Sequence, residues 1–236
     1  MIAIIDYGRG NLRSVQKSFQ HAQDEQEIVV TSELKVLSRA DGLVLPGVGA
    51  FGDAMQSLRS TELNGFITEQ ARAGKPLLGI CLGMQLLLDV SYEFGEHEGL
   101  GLVAGSCRPL PQESGIKVPH IGWNTLSFNP ACPTEIFDTC QEDTSVYFVH
   151  SYYCDVRRDE EIAARTEYGI SFASALHANN IFGVQFHPEK SSTAGLRILK
   201  NYCAYVNQEA VSSQKAASKQ NAALSQNVAP NQRTSS

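Results

Sequence analysis

Four short runs, Ile2–Ile5, Ile28–Val30, Gly42–Leu45 and Pro76–Ile80, are apolar throughout, with no polar residue at alternate positions. A strand with one face in water alternates apolar and polar residues, whereas a strand covered on both faces does not. Helical patterns accompany these runs. Leu12, Val15, Phe19 and Ala22 recur at helical spacing, as do residues around Ala54–Leu58 and Phe66–Ala71, the last closed by Gly74, and a further helix is expected over Leu82–Leu88. Doubly covered strands alternating with one-faced helices predict an α/β fold, a mixed and mostly parallel sheet flanked by helices.

The texture changes after Gly99. Lys117–Val118, Ser145–His150, Ile162–Thr166, Ser171–His177 and Ile181–Phe186 read as short strands joined by turns such as Ala178-Asn179-Asn180, so antiparallel strands are expected as additions to the parallel core. Ala194–Val206 reads as a closing helix, with Leu196, Leu199, Tyr202 and Cys203 on one face. From Gln208 to Ser236 the chain is mostly Ser, Ala, Gln and Asn, with no aromatic residue. Such a segment buries too little apolar surface to offset an ordering entropy of about 1–2 kcal/mol per residue. The expected organisation is one domain over 1–207 and a disordered polar tail over 208–236.

A net charge of −6 argues against nucleic acid or an anionic membrane as a partner. No apolar stretch approaches the roughly 18 residues needed to span a bilayer. The apolar start is cut off by Asp6 with no basic residue before it, which does not read as a signal peptide. The six cysteines contain no C-x-x-C pair and are too sparse for a disulfide scaffold, so a reducing, cytoplasmic setting is expected.

The strand expected at Pro76–Ile80 runs into a helix through Gly79-Ile80-Cys81-Leu82-Gly83. That is the nucleophile-elbow pattern with sulfur in place of oxygen. A sharp strand-to-helix turn puts Cys81 in strained backbone, and side chains at Gly79 or Gly83 would crowd it. The helix start beneath favours a thiolate, and the Leu82 amide is placed to meet a developing oxyanion. A thiol nucleophile needs a base, and Phe186-His187-Pro188-Glu189 supplies His187 past a strand end with Glu189 two residues on to orient it. Pro46-Gly47-Val48-Gly49 is a second strand end whose backbone can approach a ligand closely. The Gly8-Arg9-Gly10 turn lacks both the dinucleotide-binding and the Walker spacing, and nothing resembles a metal site, so no metal and no cofactor is expected.

Gly-x-Cys-x-Gly-x-Gln over Gly79–Gln85, together with Phe186–Glu189, resembles the class I glutamine amidotransferases, which hydrolyse glutamine with a Cys-His-Glu triad on a flavodoxin-like core. Within that family, Asp6–Leu12, Pro46–Phe51, Lys117–Asn124 and Tyr147–Tyr152 are similar to the glutaminase subunits of imidazole glycerol phosphate synthases, and the resemblance covers 1–206. It implies Cys81, His187 and Glu189 as the triad, with Gly47, Val48, Gly49 and Leu82 around the oxyanion. It also implies Gln85, Glu93, His150, Ser151 and Tyr152 as the glutamine-binding set. The implied partner is a (β/α)8-barrel cyclase subunit, forming a heterodimer that receives ammonia in histidine biosynthesis. Asn11, Pro119, Trp123, Tyr147 and Lys190 match positions at or near that interface. Three other readings stay open at this point: the glutaminase of a different synthase, such as the pyridoxal phosphate synthase; a non-catalytic subunit of the same fold; and a free-standing cysteine hydrolase acting on peptides.

Overall fold

Strand β1 (Ile2–Ile5) is buried at every residue, and its side chains divide with a period of two: Ile2 and Ile4 enter one apolar cluster, Ala3 and Ile5 the other. The computed structural model describes residues 1–23, 26–112 and 115–226, with 216–226 described by backbone alone. The chain continues through α1 (Leu12–Ala22), β2 (Ile28–Thr31), α2 (Leu34–Arg39), β3 (Gly42–Gly47), α3 (Phe51–Ser60), α4 (Leu63–Arg72), β4 (Leu77–Cys81) and α5 (Leu82–Leu86). Its second half holds β5 (Leu88–Ser91), β6 (His97–Glu98), β7 (Val103–Pro109), β8 (His120–Thr125), β9 (Ser127–Phe128), β10 (Ser145–His150), β11 (Tyr152–Val156), β12 (Ile162–Glu167), β13 (Ser171–Ala178), β14 (Ile181–Val184) and α6 (Ser192–Gln226).

The five strands β2-β1-β3-β4-β14 are parallel and contiguous. One cluster packs α2, α3 and α4 on this block through Leu37, Phe51, Leu58 and Ile67. The other packs α1 and α6 through Phe19, Ile198, Leu199 and Tyr202. Beyond β14 the sheet continues as β13-β11-β7-β5-β6, antiparallel except for the β5–β7 pair. β8 and β10 form a separate antiparallel ribbon in register from His120↔His150 to Thr125↔Ser145. A mixed sheet flanked by helices, with antiparallel additions, is thus the architecture.

Register fixes where chemistry can sit. Gly47 on β3 is the direct partner of Cys81 on β4, and Ile80 is the partner of Val184, the last residue of β14. The strand ends therefore bring Gly47, Cys81 and the Gln185–His187 segment to one edge, the carboxyl edge where open parallel sheets bind ligands.

Three expectations are corrected. The helix after Cys81 ends at Leu86, and Leu88 opens β5, because the backbone N–H groups of Leu102 and Val103 both claim the Leu87 carbonyl. Lys117–Val118 is not a strand; pairing starts at His120, after Pro119, which has no N–H to give a ladder. Helix α6 begins at Ser192 and continues to Gln226, past the Val206 at which the sequence pattern predicts its end. Extending an anchored helix costs no new nucleus, and the added residues are rich in Ala and Gln, which favour helix. Residues 227–236 lie outside the described part.

Candidate active site

The backbone at Cys81 is strained, at φ 55° and ψ −112°. The flanking glycines serve a different need, room for close packing. A Cβ on Gly83 would lie 1.7 Å from the Leu45 carbonyl oxygen, and one on Gly79 would lie 2.7 Å from that of Gly83. Only glycine at both positions lets α5 sit down on β3 and β4 with Cys81 at the vertex. Gly47 closes the same contact from β3, since a Cβ there would meet Leu82 Cβ at 3.0 Å and Gly83 N at 3.2 Å, besides the Tyr7 hydroxyl at 2.5 Å. Because α5 is little more than one turn, its dipole adds modestly to the thiolate's stability. Cys81 is 6% exposed, with Sγ 3.8 Å from the Val149 carbonyl oxygen.

His187 follows β14 by three residues. Its N–H donates to the Tyr147 carbonyl at 2.9 Å, and Pro188–Lys190 form a single 3₁₀ turn with proline at its start. Ser191, wholly buried, ties this turn to the ribbon: its Oγ donates to the His187 carbonyl at 2.6 Å and accepts from the Tyr147 N–H at 2.9 Å. His187 Nδ1 lies 2.8 Å from Glu189 Oε1, with side chains only 6% and 3% exposed. Burial pushes the imidazole toward the neutral form. Hydrogen bonds to Cys81 and Glu189, together with the charges of both, outweigh burial and raise its pKa to about 10. Sulfur, imidazole and carboxylate thus stand together, in surroundings that favour the charged imidazole.

This series opens into a cavity of about 340 Å³, lined by Val48, Gly49, Leu82, Gln85, Glu93, Pro119, His150, Ser151, Tyr152 and Lys190 as well as Cys81 and His187. Gly47, at the end of β3 opposite Cys81, does not itself line it. Glu93 is held by the Phe51 N–H at 2.6 Å, and its pKa is raised, chiefly by burial. Gln85 donates to the Tyr152 carbonyl and to Gln185 Oε1, both at 3.0 Å. His150 Nδ1 bonds the same Tyr152 carbonyl at 2.9 Å, and its Nε2 meets His120 Nδ1 at 3.0 Å. Burial drives both imidazoles to the neutral form, His120 to about 4 and His150 to about 3. Among the described residues no group of His, Cys, Asp or Glu is arranged to hold a metal ion.

A family model described as glutamine amidotransferase class-I matches residues 3–205. The chain belongs to this family. The chain is 48% identical to "Imidazole glycerol phosphate synthase subunit HisH" of Aquifex aeolicus (strain VF5) over 199 residues, covering 84% of this chain and 94% of that one. To the protein of the same name from Moorella thermoacetica (strain ATCC 39073 / JCM 9320) it is 50% identical over 201 residues, covering 85% and 93%. Among solved structures, PurLQS from Thermotoga maritima superposes with a TM-score of 0.65 at 18% identity, covering 87% and 98%, a likeness of fold.

Around the cavity mouth, this class I amidotransferase presents an apolar surface on the β8–β10 ribbon. Ile121 and Trp123, two apart on β8, are 60% and 55% exposed. Tyr147 packs edge-on to Trp123 with ring centroids 6.0 Å apart, and Lys190 Nζ lies 5.9 Å over the Tyr147 ring. Pro119 and Lys190 join this surface to the cavity rim. Asn11 is exposed at the start of α1, on the loop beside Gly47, with no side-chain bond to the helix end. The site also contains residues that reading the sequence missed. Ser191 had no visible signal. Gln185 did, as a polar residue inside the apolar run Ile181–Phe186, and His120, within the Lys117–Asn124 stretch, reads from sequence as a hydrogen-bonded structural histidine and not as part of a site.

Proposed function

We propose that this chain is the glutaminase subunit of an imidazole glycerol phosphate synthase, hydrolysing glutamine and passing ammonia to a (β/α)8-barrel cyclase in a heterodimer. The observation that carries the chemistry is the Cys81–His187–Glu189 series opening on a cavity with acceptor groups across from the sulfur. Cys81 attacks the side-chain amide carbon of glutamine, and the charge that develops on the amide oxygen meets the backbone N–H groups of Leu82 and of the Gly47–Gly49 loop. His187 gives its proton to the leaving nitrogen, the carbon–nitrogen bond breaks, and ammonia departs from a Cys81 thioester. Water then attacks the thioester, with His187 taking its proton, and glutamate leaves as the thiol is restored. Glu189 holds the imidazole in register throughout. At the far end, Glu93 and the Gln85 carbonyl oxygen suit the α-ammonium of glutamine, and Ser151 and Tyr152 offer donors to its carboxylate. Both N–H groups of Gln85 are committed to Tyr152 and Gln185, so its oxygen is the atom left to face a ligand.

The exposed Ile121–Trp123 surface with Tyr147 and Lys190, adjoining the cavity rim, supports a partner docking over the site. The test is to purify the chain with a candidate cyclase and compare product formation from glutamine and from ammonium. Cys81→Ser is expected to abolish glutamine-dependent synthesis and leave ammonia-dependent synthesis intact, because only hydrolysis needs the thiolate. Glutamine-dependent synthesis that survives the substitution would remove the assignment, whereas loss of both would locate the damage in the fold or the interface.

A further inference from the structure

Gln185 is fully buried, and Gln85 is 5% exposed. Carboxamides in an apolar interior cost free energy unless their atoms are partnered, so their arrangement is informative. One group decides it. The Tyr152 carbonyl can only accept, so both groups that reach it must donate: Gln85 Nε2 at 3.0 Å and His150 Nδ1 at 2.9 Å. With its Nδ1 donating, neutral His150 accepts at Nε2 from His120 Nδ1. His120 Nε2 is then the acceptor that faces the Asn124 amide at 3.5 Å. On the other branch, the second N–H of Gln85 goes to Gln185 Oε1 at 3.0 Å. The Gln185 carboxamide is thereby oriented, and its Nε2 is turned to Cys81 Sγ at 3.9 Å.

The neighbours of the sulfur give this orientation a use. As a thiol, Cys81 has an acceptor in the Val149 carbonyl at 3.8 Å. As a thiolate it has no hydrogen to give, and that carbonyl faces it with negative charge. The anion needs donors. His187 is one, and the geometry points to Gln185 as the second: a positioning residue whose Nε2–H holds the ionised sulfur in place, with its direction fixed through Gln85 by the Tyr152 carbonyl. Catalytic contacts that are long in the free protein tighten once charge develops, which suits a 3.9 Å approach. This role rests on Cys81 being the nucleophile.

The test is alkylation of Cys81 by iodoacetamide in the full-length chain, followed on the Cys81 peptide by mass spectrometry across a pH series. Wild type is compared with Gln185→Leu and Gln185→Glu, with circular dichroism and melting curves as controls for folding. Gln185→Leu is expected to move the midpoint of the pH–rate profile upward by about one unit, the scale of one hydrogen bond to a charged group. Gln185→Glu is expected to move it further, because a carboxylate beside the sulfur opposes its ionisation. Should Gln185→Leu fail to fold, Gln185→Met, also lacking the donor, is read in the same way. A folded variant without the donor whose profile coincides with wild type overturns the proposal. Failure of wild-type Cys81 to alkylate in preference to the other cysteines overturns instead the nucleophile reading beneath it.

Discussion

At Gly83, a single hydrogen atom in place of a methyl group decides whether the site exists. The Cβ position 1.7 Å from the Leu45 carbonyl oxygen has no flexible side chain to move aside, since both partners are backbone in β3 and α5. Gly83→Ala is therefore expected to cost about 3 kcal/mol or more, read as a fall in melting temperature of about 10 °C or as insoluble protein. A melting temperature within a degree of wild type would mean that α5 can lift from the sheet. His187 carries the second prediction at this scale. Its pKa is raised in the folded state, to about 10, so its contribution to stability is complete below the ordinary histidine value and fades as pH rises through about 10. The His187 ring resonances are expected to remain those of the protonated form at pH values where exposed histidines are neutral. In Glu189→Gln they should titrate at lower pH, because the opposing charge is lost and the acceptor that remains is a neutral carboxamide oxygen. An ordinary histidine midpoint in wild type would remove the proton from its assigned place. Cys81, His187 and Glu189 were legible in the sequence because a nucleophile at an elbow and a base with an acid two residues on are local patterns. Ser191 and His120 were not, since each matters through a partner on a distant strand, Tyr147 and His150.

Elements were legible in proportion to how much of their packing the sequence repeats locally. The strands β1, β3 and β4 are buried on both faces, so their residues read as unbroken apolar runs, and α1, α3 and α4 each carry one apolar face. β7 and β8 gave no such signal. Val103–Pro109 contains Gly105, Ser106 and Arg108, and its pairing is set by β5 and β11, far away in the chain. His120–Thr125 is half exposed and, among the described residues, pairs with β10 alone. The length of α6 is not legible, because composition measures whether a segment can make its own core, and not whether a helix already docked can run on past it. The docked part ends at Val206, the last wholly buried side chain of α6 with described packing, whose methyl groups fill the space above Gly42. Tyr202, one turn earlier, donates from its hydroxyl to the Leu43 carbonyl at 2.7 Å. Truncation after Asn207 removes no buried side chain with described surroundings and is expected to leave the melting temperature within about 3 °C of wild type. Truncation after Asn201 removes Tyr202, Cys203 and Val206, each worth about 1.5–3 kcal/mol in buried apolar surface, and is expected to yield no stable fold. Equal melting of the two truncated chains would show that α6 closes the core less than its burial indicates.

For the molecule as a whole, the loop proposed to hold the oxyanion lines the same cavity as Pro119, the residue before the exposed ribbon, which argues that hydrolysis depends on the partner. Gly47 ends β3 and Val48 and Gly49 follow it directly, and Gly49 stands at φ +95°, a conformation open to glycine at little steric cost. Val48 is 44% exposed at the cavity rim, and Pro119 and Lys190 lie on that rim as well. A partner covering Ile121, Trp123 and Tyr147 would therefore press on groups that border the loop. Rotation of one peptide in the loop exchanges an N–H for a carbonyl at the oxyanion, and one missing donor costs roughly 3–4 kcal/mol, on the order of a hundredfold to a thousandfold in rate. That range is wide enough for a switch. Glutamine hydrolysis is expected to be slow in the isolated chain, and to rise strongly with the cyclase and its nucleotide substrate bound. Trp123→Ala and Lys190→Ala should weaken this rise more than they weaken glutamine binding, since neither group belongs to the triad. The measurement is steady-state hydrolysis by the chain alone, by the complex, and by the complex with the cyclase substrate, with kcat and KM resolved for each. Equal kcat in all three would sink the switch and leave the triad standing, whereas a rise in kcat at constant KM would locate the change in the transition state, where an oxyanion donor acts.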